Sequence, residues 1–344
     1  MLSKVILEDR VSGVKHLLTK RNKIVITTHL SPDGDAMGSS LGLYHYLTDT
    51  GFDVRVIVPN SFPSFLNWMS GVDRVINFEE QEDEAIALLN EAELIFCLDF
   101  NTPSRVGKIA PHLLAAPAKK VLIDHHPFPD EFCDIKISHP EIASTSELVF
   151  RLICRMGDFD LITKDGAECI CTGILTDTGG LAYNSNSPEI YSVINRLLQI
   201  GVDKDQIYRN VFNNYTVDRF KLQGYILCEK LKVYNEFNTV MISLNLEEQR
   251  RFNMQKGDTE GFSNMPLSIS GIKFSIFFRE DDVNVIKISL RSVGDFPCNK
   301  FAAECFNGGG HLNASGGEFE GSLEDAIKIF EDTLPKYISY LNPR

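Results

Sequence analysis

The amino-acid sequence predicts an α/β protein built from two lobes, and three observations carry this prediction. The chain has 344 residues, which at about 150 residues per domain suggests two domains. Its first half alternates short, continuous apolar runs with amphipathic stretches, a pattern typical of a parallel sheet with flanking helices. Its second half places strands of alternating polarity between helices, which indicates a smaller α/β lobe with a mixed sheet.

The elements of the first half follow from its apolar runs and its helix-ending residues. In chain order, the sequence predicts strands at 23–28, 54–58, 94–98 and 121–123 and helices at 36–50, 144–156 and 165–176. Gly51 stands at the end of the first of these helices, where glycine commonly terminates a helix. Because the strands are continuously apolar, we expect helices to cover both faces of their sheet.

The character of the sequence changes after about residue 183. A polar loop at 184–188 ends in Ser187, which caps a helix, and Pro188, which begins it. The pattern then predicts helices at 188–200, 203–213, 217–231, 297–306 and 322–339 and strands at 239–244, 273–278 and 285–290. We therefore divide the chain into a first lobe at 1–190, a helical connector at 191–215 and a second lobe at 216–344.

Composition and charge narrow the classes of function. The N-terminus lacks a signal-peptide pattern, and no apolar run reaches the ~18 residues that span a bilayer. The net charge of −13 argues against a surface that grips long duplex nucleic acid or an anionic membrane. The eight cysteines lie mostly in apolar stretches and form no CxxC pair, which is typical of reduced thiols in a cytoplasmic protein.

Acidic and histidine side chains follow four separate apolar segments of the first half. In chain order, they are His29, Asp33 and Asp35 after the first strand, Asp99 after the third, Asp124, His125 and His126 after the fourth, and Asp177 after an apolar helix. In open α/β sheets, ligands bind beyond the carboxyl ends of the strands. We therefore expect these side chains to meet at one edge of one sheet.

Each acidic segment has a structural alternative when it is taken alone. Asp33 and Asp35 flank a glycine and are also typical of a turn. Asp99 is compatible with a loop cap, and Asp177 with the end of a helix. Two adjacent imidazoles beside Asp124 are harder to explain by packing. Because carboxylates this close repel one another, the whole set predicts cations between them.

The number of ligands predicts two divalent metal ions rather than one. Four carboxylates and two imidazoles are available, from His29, Asp33, Asp35, Asp99, His125 and Asp177. Asp99 stands alone at the end of a central strand and is the natural bridge between two ions. Mixed carboxylate and imidazole ligands suit Mn²⁺ best, with Mg²⁺, Co²⁺ or Fe²⁺ as alternatives. Two such ions about 4 Å apart activate water and hold a phosphoryl group, which leaves His126 to reach the phosphate or protonate the leaving oxygen.

The second half offers further candidates for binding a phosphate-bearing ligand. Its glycine-rich segment at 307–317 contains Gly308, Gly309, Gly310 and His311. Bare backbone amides in such a loop approach phosphate oxygens closely, although a tight turn is the structural alternative. Arginines add three candidates: Arg291 for a phosphate or carboxylate, Arg279 for stacking on a base, and Arg105, six residues after Asp99. For Arg291 and Arg279 a surface ion pair is the alternative, and the role of Arg105 is similarly open.

Together these motifs resemble the DHH/DHHA1 phosphoesterase family. The matching residues are His29-x-x-x-Asp33-x-Asp35, Asp99, Asp124-His125-His126, Asp177 and Gly308-Gly309-Gly310-His311. They stand in both halves of the chain. The compact length is similar to that of the nanoRNase branch, whose members are oligoribonucleases and pAp phosphatases. RecJ-type exonucleases of the same family are larger.

The resemblance implies an active-site cleft between two lobes, with the first holding two Mn²⁺ ions through the six ligands named above. Asp99 and His126 would act in catalysis, Asp124 would orient a neighbour, and the Gly308–His311 segment would hold the substrate. An activated water would cleave oligoribonucleotides of about two to five nucleotides to 5′-mononucleotides, or remove the 3′-phosphate of pAp.

Two alternative functions stay open. One is a phosphodiesterase of linear dinucleotides such as pApA or pGpG, and the other is a non-catalytic regulator that binds nucleotides. The sequence also leaves a homodimer open. Its acidity fits a small phosphate-bearing partner rather than long duplex nucleic acid or a membrane.

Overall fold

The structure is a computed structural model that describes residues 4–18 and 23–342. It divides into two compact units, with the boundary between Asn214 and Tyr215. Residues 191–214 of the predicted connector lie in the first unit. Among the described residues, no helix combines the length and the apolar character that crossing a membrane requires.

The first unit is a parallel sheet with flanking helices. Its strands are β1 (Lys23–Thr27), β2 (Asp53–Val58), β3 (Ile76–Asn77), β4 (Leu94–Leu98), β5 (Lys119–Asp124) and β6 (Ile135–Ser138). Its helices are α1 (Glu8–Leu17), α2 (Gly34–Asp49), α3 (Glu82–Glu91), α4 (Ala110–Ala115), α5 (Thr145–Met156), α6 (Lys164–Asp177), α7 (Pro188–Ile200) and α8 (Lys204–Val211). The strand order is β3-β2-β1-β4-β5-β6, and each described pair is parallel.

Two apolar cores cover the opposite faces of this sheet, because neighbouring residues of a strand point to opposite sides. On β1, Ile24 and Ile26 belong to one core and Val25 to the other. The larger core includes residues of α2, α5 and α6, and the smaller one includes residues of α3 and α4. The prediction of a parallel sheet that helices cover on both faces is confirmed.

The second unit holds a separate mixed sheet. Its strands are β7 (Leu231–Tyr234), β8 (Thr239–Leu244), β9 (Phe274–Asp282), β10 (Val285–Ser292), β11 (Gly309–Gly310) and β12 (Ala314–Glu320). Its helices are α9 (Val217–Tyr225), α10 (Leu246–Arg251), α11 (Cys298–Cys305), α12 (Leu323–Thr333) and α13 (Ile338–Leu341). The order is β11-β12-β10-β9-β8-β7, in which β8 and β9 are parallel and the other described pairs are antiparallel. This confirms the predicted mixed-sheet lobe.

Three predicted elements of the second half differ from the structure. The helix predicted at 217–231 ends at Tyr225, and a short π-helical turn leads into β7. Edge strand β7 is partly exposed along its whole length, so no buried apolar run marks it in the sequence. The helix predicted at 322–339 changes to a 3₁₀ turn at Leu334, beside Pro335, which lacks a backbone donor. The glycine-rich segment predicted as a loop forms β11 and part of β12.

Candidate metal centre

Eight acidic and histidine side chains of the first unit lie together beyond the carboxyl ends of its strands. They are the eight that the sequence singled out: His29, Asp33, Asp35, Asp99, Asp124, His125, His126 and Asp177. They come from the ends of β1, β4 and β5, the first turn of α2 and the last turn of α6. The expectation that one sheet edge collects them agrees with this geometry.

Asp99 lies between two groups of ligand atoms. Its Oδ2 atom is 3.4 Å from His29 Nε2, and its Oδ1 atom is 3.6 Å from His125 Nε2. His29 Nε2 is also 3.8 Å from Asp33 Oδ2, and His125 Nε2 is 3.5 Å from Asp177 Oδ2. Ligand atoms lie within 4.8 Å of one another in two sets, His29 with Asp33 and Asp99, and Asp35 with His125 and Asp177. One carboxylate thus faces both sets.

Backbone carbonyls fix the orientation of both imidazoles in these groups. His29 Nδ1 is 2.9 Å from the carbonyl oxygen of Leu30, and His125 Nδ1 is 3.3 Å from that of Ile142. When Nδ1–H donates to a carbonyl, the lone pair of the neutral ring is on Nε2, the atom that faces the carboxylates. A metal-binding histidine is typically held in this way.

The first turn of α5 holds two of the carboxylates. Backbone N–H groups of Thr145 and Ser146 donate to Asp35 Oδ2 and Oδ1, at 2.6 and 2.9 Å. The Thr145 hydroxyl donates to Asp99 Oδ1 at 2.9 Å. Ser144 caps the same helix through the N–H of Glu147. The helix N-terminus therefore neutralises part of the negative charge and fixes the directions of both carboxylates.

Glycines let α2 and α6 approach closely behind the site. A Cβ atom at Gly38 would lie 2.7 Å from backbone atoms of α6, and one at Gly173 would overlap the hydroxyl of Ser146. The same added atom at Gly173 would lie 2.9 Å from Asp35 Oδ1. This contact brings the first turn of α2, which carries Asp35, to the helix that ends in Asp177.

The electrostatics of the cluster fit divalent cations. Burial and repulsion from Asp99 and Asp177 raise the pKa of Asp35 well above its ordinary value. Burial alone would lower the pKa of His125, but Asp177 and Asp99 raise it to about 9. Burial likewise opposes protonation of His29, yet the neighbouring carboxylates of Asp33 and Asp99 raise its pKa to about 10. Without metal, protons balance the carboxylate charge, and cations bound by these oxygen and nitrogen ligands would replace them.

Asp124 and His126 form a pair beside the two groups. His126 Nδ1 is 2.8 Å from Asp124 Oδ1 and 3.7 Å from Asp99 Oδ1. Asp124 is fully buried, and burial raises its pKa to about 6. Its Oδ2 atom has no hydrogen-bond partner within the described part of the chain. A histidine whose Nδ1 proton is held by a carboxylate exchanges protons through Nε2.

The glycine-rich candidates lie in the second unit, in and beside a β-hairpin. Gly308 precedes β11, Gly309–Gly310 form it, and the N–H of His311 donates to the carbonyl of Ala314 at 2.8 Å. A Cβ atom at Gly308 would overlap the carbonyl oxygen of Gly316 on β12. The prediction of a loop is wrong for part of this segment, because its glycines allow two backbones to pair closely.

The three candidate arginines have different surroundings. Arg279 Nη2 is 2.6 Å from Asp281 Oδ1, which is the ion pair that the sequence left open as an alternative. Arg291 is on β10 and donates to a carbonyl of its own strand at 2.9 Å. Arg105 lies in the first unit, where its carbonyl accepts from the N–H of Leu30 at 2.7 Å. Backbone contact thus joins the loop after β1 to the turn after β4.

Comparison with known proteins assigns the chain to a family. Residues 23–174 match the DHH family, N-terminal domain, and residues 238–336 match the DHHA1 domain. The chain belongs to the DHH family. Enzymes of this family are hydrolases that act on phosphoester bonds and use divalent metals. This DHH protein is therefore a phosphoester hydrolase, as the motifs predicted.

Similar proteins are known from several bacteria. A crystal structure of an exopolyphosphatase-related protein from Bacteroides fragilis is 55% identical, with a TM-score of 0.94 and 99% of both chains covered. A bifunctional oligoribonuclease and PAP phosphatase NrnA from Thermus thermophilus is 29% identical over 87% of this chain and 84% of its own length. A Bacillus subtilis protein of the same description is 27% identical over 90% of this chain and 93% of its own.

Sequence reasoning missed the residues that hold the ligands in place. The glycines Gly34, Gly38 and Gly42 recur every four residues along α2, which is a visible sign of a helix face packed against another backbone. Thr145 and Ser146 act largely through backbone N–H groups, which every residue other than proline has. In the sequence, only the polar residues at the start of α5 indicate that Thr145 and Ser146 could have this role.

Proposed function

We propose that this DHH protein hydrolyses very short RNA to 5′-mononucleotides and removes the 3′-phosphate of pAp. The observation that carries the proposal is Asp99, whose two oxygens face His29 and His125 at 3.4 and 3.6 Å. This arrangement supports a centre of two divalent ions that share one carboxylate. The printed descriptions of the relatives in T. thermophilus and B. subtilis support the choice of substrates.

Each ion would be held by one group of ligands, with Asp99 common to both. The first group is His29, Asp33 and Asp99, and the second is Asp35, His125, Asp177 and Asp99. Oxygen and imidazole ligands without thiolate favour Mn²⁺, with Mg²⁺ or Co²⁺ as alternatives. When bound, two divalent ions activate a water and neutralise the charge of a phosphoryl group.

The protein supplies the proton chemistry through His126 and Asp124. Because Asp124 holds Nδ1–H of His126 at 2.8 Å, the ring can present Nε2 to the phosphate or to the leaving oxygen. A protonated ring would stabilise negative charge there and donate its proton as the ester bond breaks. Asp124 orients and stabilises the imidazole and does not contact the substrate itself.

The second unit would bind the rest of the substrate. We assign Gly308, Gly309, Gly310 and His311 of this unit to the phosphate. Arg291 and Arg279 of this unit, together with Arg105 of the first unit, are assigned to phosphate or base. Residues 1–190 would then be the catalytic domain, 191–215 a connector and 216–344 the substrate-binding domain. A cytoplasmic location fits eight cysteines that are all unpaired.

A panel of substrates with purified full-length protein tests the proposal. The panel holds pAp, a dinucleotide, a pentanucleotide and a long single-stranded RNA, each with Mn²⁺ or with a chelator. We expect release of 5′-mononucleotides and of phosphate from pAp with Mn²⁺, loss of activity with chelator, and poor cleavage of the long RNA. Equal activity in chelator would overturn the metal mechanism, and activity confined to the long RNA would overturn the substrate assignment.

The two alternatives give different results in the same assay. A dedicated linear-dinucleotide phosphodiesterase would cleave pApA or pGpG far faster than the pentanucleotide and would leave pAp intact. A non-catalytic regulator would bind nucleotides without turnover, and an Asp99→Ala variant would match the wild type. Measurement of kcat/KM for each substrate separates the three functions.

A further inference from the structure

Phe128 is an exposed aromatic residue that the proposed chemistry does not use. It follows His126 and Pro127 in the loop after β5, and 86% of its surface is exposed. Its φ angle is +60°, in the left-handed region that bulky side chains rarely adopt. A residue held in such a conformation at the surface, beside an active centre, is a sign of a functional role.

Asn101 holds the loop on both sides of Phe128. Its side-chain Nδ2 donates to the carbonyl of Pro127 at 2.7 Å, and its own carbonyl accepts from the N–H of Asp130 at 2.9 Å. Asn101 is two residues beyond Asp99, so the loops after β4 and β5 are joined next to the ligand groups. These hydrogen bonds offset the backbone strain and keep the position of Phe128 fixed.

We propose that Phe128 is a specificity residue that stacks on a nucleobase of the substrate. This inference rests on the proposed function, since it assumes a substrate that carries a base. Stacking on exposed aromatic rings is the usual way in which proteins bind unpaired bases without reading their sequence. It also needs no positive charge, which suits a chain with a net charge of −13.

The spacing along the chain suits a nucleotide. Only Pro127 separates His126 from Phe128, and two steps of the chain span at most about 7 Å between Cα atoms. That length is comparable to the sugar that separates a phosphate from its base. With His126 directed to the phosphate, Phe128 is in range of the adjoining base.

Substrates with and without a base test the proposal by kinetics. Phe128→Ala should lower kcat/KM for pAp and for a dinucleotide by roughly 5- to 150-fold, mainly through KM. Ribose 3′,5′-bisphosphate, which lacks the base, should be hydrolysed equally by both proteins. Phe128→Trp should retain the wild-type values, and Leu114→Ala, at another exposed apolar residue of the first unit, is the matched control.

Two kinetic results would overturn the stacking role. One is an equal loss for substrates with and without a base, because that loss would place the effect at the phosphate or the metal ligands. The other is no loss for any substrate. If the wild type itself fails to hydrolyse pAp and short RNA, the proposed function fails, and binding measurements still decide the role of Phe128.

Fluorescence provides that binding measurement. The wild type has a single tryptophan, so the difference between Phe128→Trp and the wild type reports position 128. Adding AMP should quench this difference signal, whereas ribose 5-phosphate should not. Equal responses to both compounds, or no response to either, would overturn the stacking role.

A stability measurement separates this role from a structural one. Because glycine adopts a positive φ at little cost, Phe128→Gly should leave the melting temperature unchanged or raise it. The same variant should lose base discrimination as Phe128→Ala does. A clear fall in melting temperature for both variants, together with unaltered discrimination, would assign Phe128 a structural role instead.

Discussion

The candidate metal ligands of the first unit and the glycine-rich hairpin of the second differ in how the chain holds them. Asp35 and Asp99 are each 1% exposed and accept hydrogen bonds from the start of α5. By contrast, Gly309–Gly310 form an exposed two-residue strand at a sheet edge. Packing therefore fixes the geometry of the first site before any ligand binds, whereas backbone pairing alone determines the geometry of the hairpin.

Removing the shared carboxylate should have the largest effect on the packed site. We expect Asp99→Asn to lower kcat by about 10⁴-fold or more, a loss comparable to removing one member of a cooperating catalytic group. The assay is hydrolysis of pAp with saturating Mn²⁺, and circular dichroism checks that the fold is kept. Asp73→Asn, at an exposed aspartate, is the control. Near wild-type turnover in Asp99→Asn would contradict a shared ligand.

Adding one methyl group between α2 and α6 should destabilise the first unit. Gly38→Ala places a Cβ atom 2.7 Å from the backbone of α6, which should cost about 1–3 kcal/mol of unfolding free energy. Gly224→Ala is the matched control, because Gly224 is also within a helix but has open space around it. That control should gain up to about 1 kcal/mol. Urea denaturation measures both, and equal effects would contradict the close helix contact.

Removing the hydroxyl that holds Asp99 should weaken metal binding. Thr145→Val keeps the shape of the side chain but loses the hydrogen bond of 2.9 Å. We expect Mn²⁺ affinity to fall about 10- to 100-fold, as measured by titration calorimetry. Thr145→Ser retains the hydroxyl and should bind Mn²⁺ almost as the wild type does. If valine and serine behave alike, the hydroxyl has no positioning role.

Metal removal should reverse how stability responds to pH. Without metal, burial raises the pKa of Asp124 to about 6, and Asp177 and Asp99 raise that of His125, against its burial, to about 9. Between about pH 4 and pH 9, Asp124 and His125 of the folded protein therefore keep protons that the unfolded chain has already released. The free energy of unfolding is then highest near pH 4 and falls as the pH rises through 6 and 9. Melting temperatures in chelator should fall over this range, while Mn²⁺ should remove or invert the trend because its ligands bind as deprotonated groups. A rising curve in chelator would contradict these assignments.

A small substitution in the glycine-rich hairpin should have little effect on the unfolding free energy. Gly309 has open space around it and an ordinary φ angle, so Gly309→Ala should shift the unfolding free energy by less than about 0.5 kcal/mol. If its amide approaches a phosphate, the KM for pAp should still rise several-fold. Gly308→Ala should lower both stability and activity, because its Cβ atom would overlap the carbonyl oxygen of Gly316. An unchanged KM in Gly309→Ala would remove Gly309 from the substrate site.

The sequence allowed prediction of the sheet and of the cluster for a chemical reason. Aspartate and histidine directly after buried strands are conspicuous, and the topology of a parallel sheet brings strand ends together. Asp99 is the clearest case, since its position at the end of a central strand predicts a place between two groups of ligands. The structure places it between both ligand groups.

Other features depend on contacts that cannot be inferred from the types of residue that make them. The amide groups of Thr145 and Ser146 hold Asp35, and amides are common to nearly all residues. The short strand β7 lacks an apolar run because it is a partly exposed edge. The left-handed backbone of Phe128 depends on two hydrogen bonds with Asn101, one donated and one accepted, and Asn101 lies in a distant part of the sequence.

The close packing of α2 against α6 also constrains the order of events during synthesis. The first candidate ligand in the chain, His29, leaves the ribosome long before Asp177, the last residue of α6. Until α6 has emerged and docked on the glycine face of α2, Asp177 is not in place and the second group of candidate ligands is incomplete. A nascent chain that stops short of α6 already contains all six strands of the first sheet, but it lacks Asp177 and cannot complete the candidate centre. Metal binding at the complete centre would therefore come late in the synthesis of the protein.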